Sequence, residues 1–278
     1  MVLSAFAPIA TWPEATSETF VNQAVGIAAK LGARLHVSAL VVDMPRVSNA
    51  FSRLVLDVPK MIRDAEAASR SRCESLTAAF EAAAAPAGVS LSSDTIVCQP
   101  VMAGERASVG ARYHDLVMVG IDGGNQTTRE IAETVVFGAG RPVLLLPETA
   151  AAPNLDSIAI AWDGSRVAAR AVAAATALLA DAKRIVVLTV LDEKPLEDRA
   201  IGERLAAALQ ARGLPAEALT IQAEDVPIGE TLQRRAAEAG CGLLVMGGYG
   251  HSRLRDFVLG GATKGVLAEP HLPVLLSH

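Results

Sequence analysis

Aromatic side chains are scarce: two Trp, two Tyr and six Phe, 4% of 278 residues, in a chain that is 51% apolar. Alanine supplies much of that apolar share, so the expected core is helices packed tightly on sheets. Cysteine is also rare. Cys73, Cys98 and Cys241 are odd in number and widely spaced, with no CxxC or Cys/His pattern. That excludes a disulfide framework and a zinc finger, and it fits a reducing cytosol. No run approaches the roughly 20 apolar residues of a membrane span. The first residues lack the basic segment of a secretory signal, so the expected location is the cytoplasm, with no membrane partner. Positive charge is not in excess: the formal charge is −5, which argues against nucleic acid as a partner. Paired carboxylates and a Ser/His/Asp set are absent, so no catalytic residue is assigned. His36 reads as a satisfied strand residue. His114, His271 and His278 flank strands without a metal partner at suitable spacing, and no metal site is assigned.

What the chain does contain is a repeat. His114–Gly124, "HDLVMVGIDGG", resembles Cys241–His251, "CGLLVMGGYGH". "RPVLLLP" from Arg141 resembles "LPVLLSH" from Leu272, and "ARLHVSALVVD" from Ala33 resembles "AKRIVVLTVLD" from Ala182. The pairs keep their order. With a linker around Pro147–Ser157, two related domains are expected, residues 1–148 and 155–278.

Each half alternates short Val/Ile/Leu runs with helical patterns. In the second half the expected strands are "SIAIAW", "RIVVLTVL", "ALTIQAE", "GLLVMG" and "PVLLS". The expected helices are "SRVAARAVAAATALLADA", one around "EDRAIGERLAAALQARG", "IGETLQRRAAEAG" and a short one after the glycine segment. Continuous apolar strands between helices predict an α/β fold of two doubly wound parallel sheets. The ligand crevice should lie at the strands' C-terminal ends.

Glycine concentrates at one such end. Gly247–Gly265, "GGYGHSRLRDFVLGGATKG", holds six of the 22 glycines. Glycines after a strand and before a helix let backbone N–H groups approach an anion, and the helix N-terminus favours negative charge. The same glycines could simply punctuate turns. The segment is neither GxxxxGK[ST] nor GxGxxG.

Gly247-x2-Gly250-x9-Gly260 resembles the G-x2-G-x9-G-[ST] signature of ATP-binding universal stress proteins, and the repeat makes the whole chain resemble a tandem universal stress protein. "AWDGSRVAARAV", "TVLDE" and the closing "PVLLS" stand where that family places them. The resemblance implies strand order 3-2-1-4-5 in each five-stranded domain. It implies an intrachain pseudo-dimer in which "RPVLLLP" and "LPVLLS" pair. It also implies an adenine nucleotide, ATP, ADP or AMP, with or without Mg. The residues carried over as the nucleotide site are Asp163 close to the nucleoside, Val190 near the adenine, and Met246, Gly247, Gly250, His251, Arg253, Gly260, Gly261, Ala262 and Thr263. Val190 is equally compatible with plain core. Asp163 could instead cap the next helix, which is the favoured reading of Ser165. His251 either approaches phosphate or is solvated.

Two departures qualify the resemblance. Gly261 stands where the family has Ser or Thr, which removes a phosphate hydroxyl and puts ATP preference in doubt. In the first half, Gly120 and Gly123 persist, but Gly120 to Val143 spans 23 positions against 27 from Gly247 to Val274. Arg129 and Glu130 then fall where Gly260 and Gly261 do, so that half reads as degenerate for nucleotide. It also carries about 22 extra residues, assigned to a longer second helix over "PKMIRDAEAASRSRCESLTAAFEAAAA". The sequence leaves three functions open. They are a nucleotide-binding regulator with an unidentified protein partner, expected to be a homo-oligomer; a slow ATPase; and a nucleotide-free interaction protein.

Overall fold

The computed structural model describes residues 2–46, 57–122, 124–148, 153–192, 198–248 and 261–278. The first half runs β1 (Ser4–Ala10), α1 (Glu18–Lys30), β2 (Arg34–Val42), α2 (Val58–Ala87), β3 (Leu91–Cys98), α3 (Ala103–Ala111), β4 (Leu116–Ile121), α4 (Gln126–Gly138) and β5 (Val143–Pro147). The second runs β6 (Ser157–Ala161), α5 (Arg166–Ala174), α6 (Thr176–Ala180), β7 (Arg184–Val190), α7 (Ile201–Gln210), β8 (Ala216–Ile221), α8 (Ile228–Glu238), β9 (Leu243–Gly247), α9 (Gly261–Ala268) and β10 (Val274–Ser277).

All ten strands join one sheet, ordered β3-β2-β1-β4-β5-β10-β9-β6-β7-β8. Each half therefore has the expected 3-2-1-4-5 order with parallel neighbours. The halves meet at one antiparallel pair, in which Val274, Leu275 and Leu276 face Leu145, Leu144 and Val143. The two closing apolar runs thus cover each other within the chain, which removes two aggregation-prone edges.

Strand alternation sends successive residues to two core layers. In β5, Leu144 and Leu146 enter the layer shared with α1 and α2, while Val143 and Leu145 enter the one shared with α3 and α4. Both layers continue across the seam, with α5 to α7 behind and α8 and α9 in front. Burial on both faces explains why the strands read as unbroken apolar runs. Small residues let the covering helices close up. At Gly229 of α8, a Cβ would stand 2.3 Å from the Ala262 carbonyl oxygen of α9, so those backbones touch directly.

The expected long second helix is α2, with 30 residues. One expectation needs correcting: "SRVAARAVAAATALLADA" is two helices, α5 and α6, broken at Ala175, whose ψ of 1° departs from the helical region. The three alanines 173–175 give no signal for such a break.

Candidate functional site

In the second half the strand ends lie at Ala161, Val190 and Gly247. Ala161 pairs with Leu188, so Asp163, two residues on, stands level with Val190. Ile160 pairs with Val245, which sets Gly248 level with Asp163 on the other side. Val190 ends β7, Asp163 lies two residues past the end of β6 and Gly248 one past the end of β9, so the three fall at the ends of neighbouring strands. Asp163 and Val190 are both half-buried.

The turn after β6 is built locally. Asp163 Oδ1 accepts a hydrogen bond from the Ser165 backbone nitrogen at 2.9 Å. Gly164 supplies the left-handed φ of 73° that the turn requires. The Ser165 hydroxyl then accepts from the Ala168 nitrogen at 3.2 Å and caps α5. The capping role expected of Ser165 is therefore present, while Asp163 braces the loop that carries it.

Gly247 is glycine for a packing reason that spacing alone does not reveal. A Cβ there would lie 2.6 Å from the Val167 carbonyl carbon and 2.7 Å from the Ala168 nitrogen, so α5 backbone rests on the strand end. Its neighbour Gly248 is held from both sides. The Gly248 nitrogen donates to the Ser277 carbonyl at 2.8 Å, and its carbonyl oxygen lies 3.2 Å from His278 Nδ1. The His278 ring also meets Phe137 of α4 edge-on at 5.7 Å. Sequence reasoning set His278 aside. Its contact with Gly248 depends on β9 pairing with β10, which no local pattern encodes.

Past the glycine segment, Gly261 is exposed and opens α9, Ala262 is half-buried and Thr263 is 2% exposed. Met246 is 3% exposed, with its side chain in the layer beneath α8 and α9. Gly250, His251, Arg253 and Gly260 lie outside the described residues, as does Gly123 of the first half. Asp163, Val190, Met246, Gly247, Gly261, Ala262 and Thr263 all fall on or beside the C-terminal edge of the sheet and the start of α9.

The first half departs at this edge. Only residues 122–125 connect β4 to α4, against 248–260 between β9 and α9. Asn125 caps α4, its side-chain oxygen accepting from the Thr127 and Thr128 nitrogens at 2.9 and 3.2 Å. Arg129 donates to the Ala268 carbonyl of α9 at 3.3 Å, and Glu130 accepts from Gln126 Nε2 at 2.7 Å. The residues that fall at the position of Gly260 and Gly261 are thus engaged in protein contacts.

Among the described residues no group of three or more His, Cys, Asp or Glu side chains is placed to hold a metal ion. No described helix is long and apolar enough to cross a membrane. The three cysteines are buried. Burial pushes the Cys98 and Cys241 thiols up, away from the reactive thiolate.

Residues 154–278 match the universal stress protein family. No curated protein matches the sequence. Among solved structures, a universal stress protein from Archaeoglobus fulgidus superposes with a TM-score of 0.72 at 14% identity, covering 98% of this chain and 95% of its own. A provisionally assigned universal stress protein from Pseudomonas aeruginosa reaches 0.56 at 15% identity, covering 99% and 93%. At such identities the superpositions speak to fold. Residues 154–278 thus match the universal stress protein family, and over its whole length the chain is similar in fold to universal stress proteins.

Proposed function

We propose that this chain is a stress-response regulator that binds one adenine nucleotide at the C-terminal edge of its second half. The observation that carries the reading is that Val190, Asp163 and Gly248 fall at or just past the ends of three adjacent parallel strands, with Gly250, Gly260 and the start of α9 following in sequence. A carboxylate beside an apolar residue suits a ribose and its base. Glycines leading to a helix N-terminus suit phosphate. In this reading residues 155–278 form the nucleotide-binding domain and residues 1–148 a degenerate copy. Met246, Gly247, Gly261, Ala262 and Thr263 shape the phosphate side together with His251 and Arg253.

ATP, ADP and AMP are the candidate ligands, with Mg as an optional companion of the longer phosphates. Gly261 offers no hydroxyl, and a hydrogen bond to a charged group is worth about 1.5–3 kcal/mol, so ATP loses most by its absence. The seam between β5 and β10 occupies the pairing edge inside the chain. A homo-oligomer or a protein partner in the cytoplasm would therefore use other surfaces.

Calorimetric titration with ATP or ADP tests this reading. A stoichiometry near one per chain is expected. A value near two would show that the first half also binds, and no heat with any of the three nucleotides would leave an interaction protein without nucleotide. Protein purified without added nucleotide, denatured and examined by mass, should release the same ligand.

A further inference from the structure

The first half has a crevice at its own strand ends, and strand register identifies its residues. β1 pairs Ala5 with Leu116, while β6 pairs Ile158 with Leu243. Leu116 and Leu243 each stand four residues before the glycines Gly120 and Gly247. Counting five residues on from Ala5 and Ile158, Ala10 stands where Asp163 does. Ala10 pairs with Leu40 in β2, just as Asp163 stands level with Val190. The first-half counterparts of the proposed nucleoside contacts are therefore Ala10 and Leu40, neither of them polar.

Ala10 and Leu40 line a cavity of about 20 Å³, with Trp12, Cys98, Ala103 and Thr127 among its other walls. That volume suits little more than one water, whereas small-molecule sites run to about 300–1,000 Å³. The chain on both sides of Trp12 is fastened. The Thr11 hydroxyl donates to the Leu40 carbonyl at 2.7 Å and meets the Ser69 hydroxyl at 2.6 Å. Arg72 Nη1 donates to the carbonyls of Thr11 and Pro13.

Ser69 and Arg72 both belong to α2. Leu91 and Ala216 face the equivalent residues Leu35 and Ile185. Counting back from them, Ile201, the first residue of α7, corresponds to Leu76. Ser69 and Arg72 thus lie on turns of α2 that precede the stretch matched by α7.

We propose that Trp12 is the built-in occupant of the first half's crevice, an indole standing where the second half takes its nucleobase, and that the added turns of α2 clamp it there. The comparison with a nucleobase rests on the nucleotide reading of the second half. Indole is a flat bicycle of about purine size, so it fills such a slot by shape while leaving no place for a ligand. This gives the extra length of α2 a task. It also explains how a half that has lost its phosphate loop avoids an open apolar crevice.

The test is rescue by indole in the full chain. Trp12→Ala should melt lower than wild type, and millimolar indole should raise its midpoint while leaving wild type unmoved. Equal shifts in both proteins, or none in the variant, would overturn the proposal. Should Trp12→Ala fail to fold, Arg72→Ala in a Trp162→Phe background leaves Trp12 as the sole indole. Its fluorescence quenching by acrylamide should then rise at least twofold over the Trp162→Phe parent, and unchanged quenching would refute the clamp. ATP titration of wild type is scored separately. If it fails while indole rescue succeeds, the nucleotide reading falls and Trp12's place in the crevice stands.

Discussion

Glu148 Oε2 accepts a hydrogen bond from the Ser17 backbone nitrogen at 2.7 Å, across 131 residues of sequence. The contact ties the residue that follows β5 to the N-terminus of α1, where a negative charge is favoured. Gln23 supports it by donating to the Pro147 carbonyl at 3.1 Å. The other carboxylate oxygen, Oε1, is buried and has no hydrogen-bond partner among the described residues. It sits against Gly120, where a Cβ would come within 2.5 Å of it. Gly120, a motif glycine in sequence, thus leaves room for this carboxylate.

Burial pushes the Glu148 carboxyl above its ordinary value of 4.5; its bonds to Ser17 pull the other way, and Asp122 adds to the rise. A raised folded value means that the fold favours the protonated acid. The associated stability is complete below the ordinary value and is lost as pH rises through the folded one. Between about pH 4.5 and neutrality, wild type should lose stability with rising pH more steeply than Glu148→Gln, which accepts the same bond without titrating. Calorimetric midpoints across that range decide it, and parallel profiles would reject the account.

His114 carries the opposite sign. Its ring stacks on Phe6 at 5.1 Å and on His36 at 5.3 Å, and its Nδ1 pairs with the Ser4 hydroxyl at 2.7 Å. Burial lowers its value from 6.5, and His36 and Arg141 lower it further against the pull of Asp115 and Asp94. Stability linked to this ring is present above the unfolded value and is lost as pH falls through the folded one. Denaturation midpoints of His114→Phe, which keeps a ring in the stack, should therefore fall less than wild type between pH 7 and 5. A ring titration by NMR at or above 6.5 would contradict the premise.

Much of the architecture was legible because it obeys local rules. Continuous apolar strands, the repeat and the Ser165 cap each leave a pattern within a few residues. The β5–β10 seam came from the family resemblance, since two apolar edges alone do not name their partner. What escaped notice were contacts between distant segments. Glu148 on Ser17, His278 beside Gly248 and Arg72 on the carbonyls around Trp12 join positions 30 to 131 residues apart. Nothing at either end announces its partner. Gly247 shows the converse problem: the motif singles it out as a phosphate-site glycine, whereas its missing Cβ makes room for α5 backbone.

The seam itself can be tested by a double-mutant cycle. Leu144 and Leu275 face each other across β5 and β10, and both are 0% exposed. Each Leu→Ala change should destabilise by about 2–5 kcal/mol through lost burial and a cavity. If the residues pack on one another, the double variant should depart from additivity by about 0.5–3 kcal/mol. Chemical denaturation of the four proteins gives the coupling directly. Simple addition would mean that the seam does not couple the halves at this point.

Two glycines of the motif should separate structural from ligand effects. At Gly247 the obstacles to a Cβ are backbone atoms of Val167 and Ala168 at 2.6 and 2.7 Å, so α5 must shift as a body. Gly247→Ala should lower apo stability by about 1–3 kcal/mol, the usual range for overpacking, before any ligand is added. At Gly261 the nearest atom to a Cβ is Ile228 Cγ2 at 3.8 Å, an ordinary contact. Gly261→Ser should therefore leave the apo melting point unchanged or slightly higher, since glycine is a poor helix former. Its hydroxyl would stand at the first residue of α9, beside the proposed phosphate chain. If it bonds there, ATP affinity should rise about tenfold, equivalent to about 1.4 kcal/mol, and AMP affinity by less. Apo melting and paired ATP and AMP titrations read both effects. An unshifted Gly247→Ala melting point would remove the packing account of that glycine. Equal gains for ATP and AMP in Gly261→Ser would place the hydroxyl away from the outer phosphates.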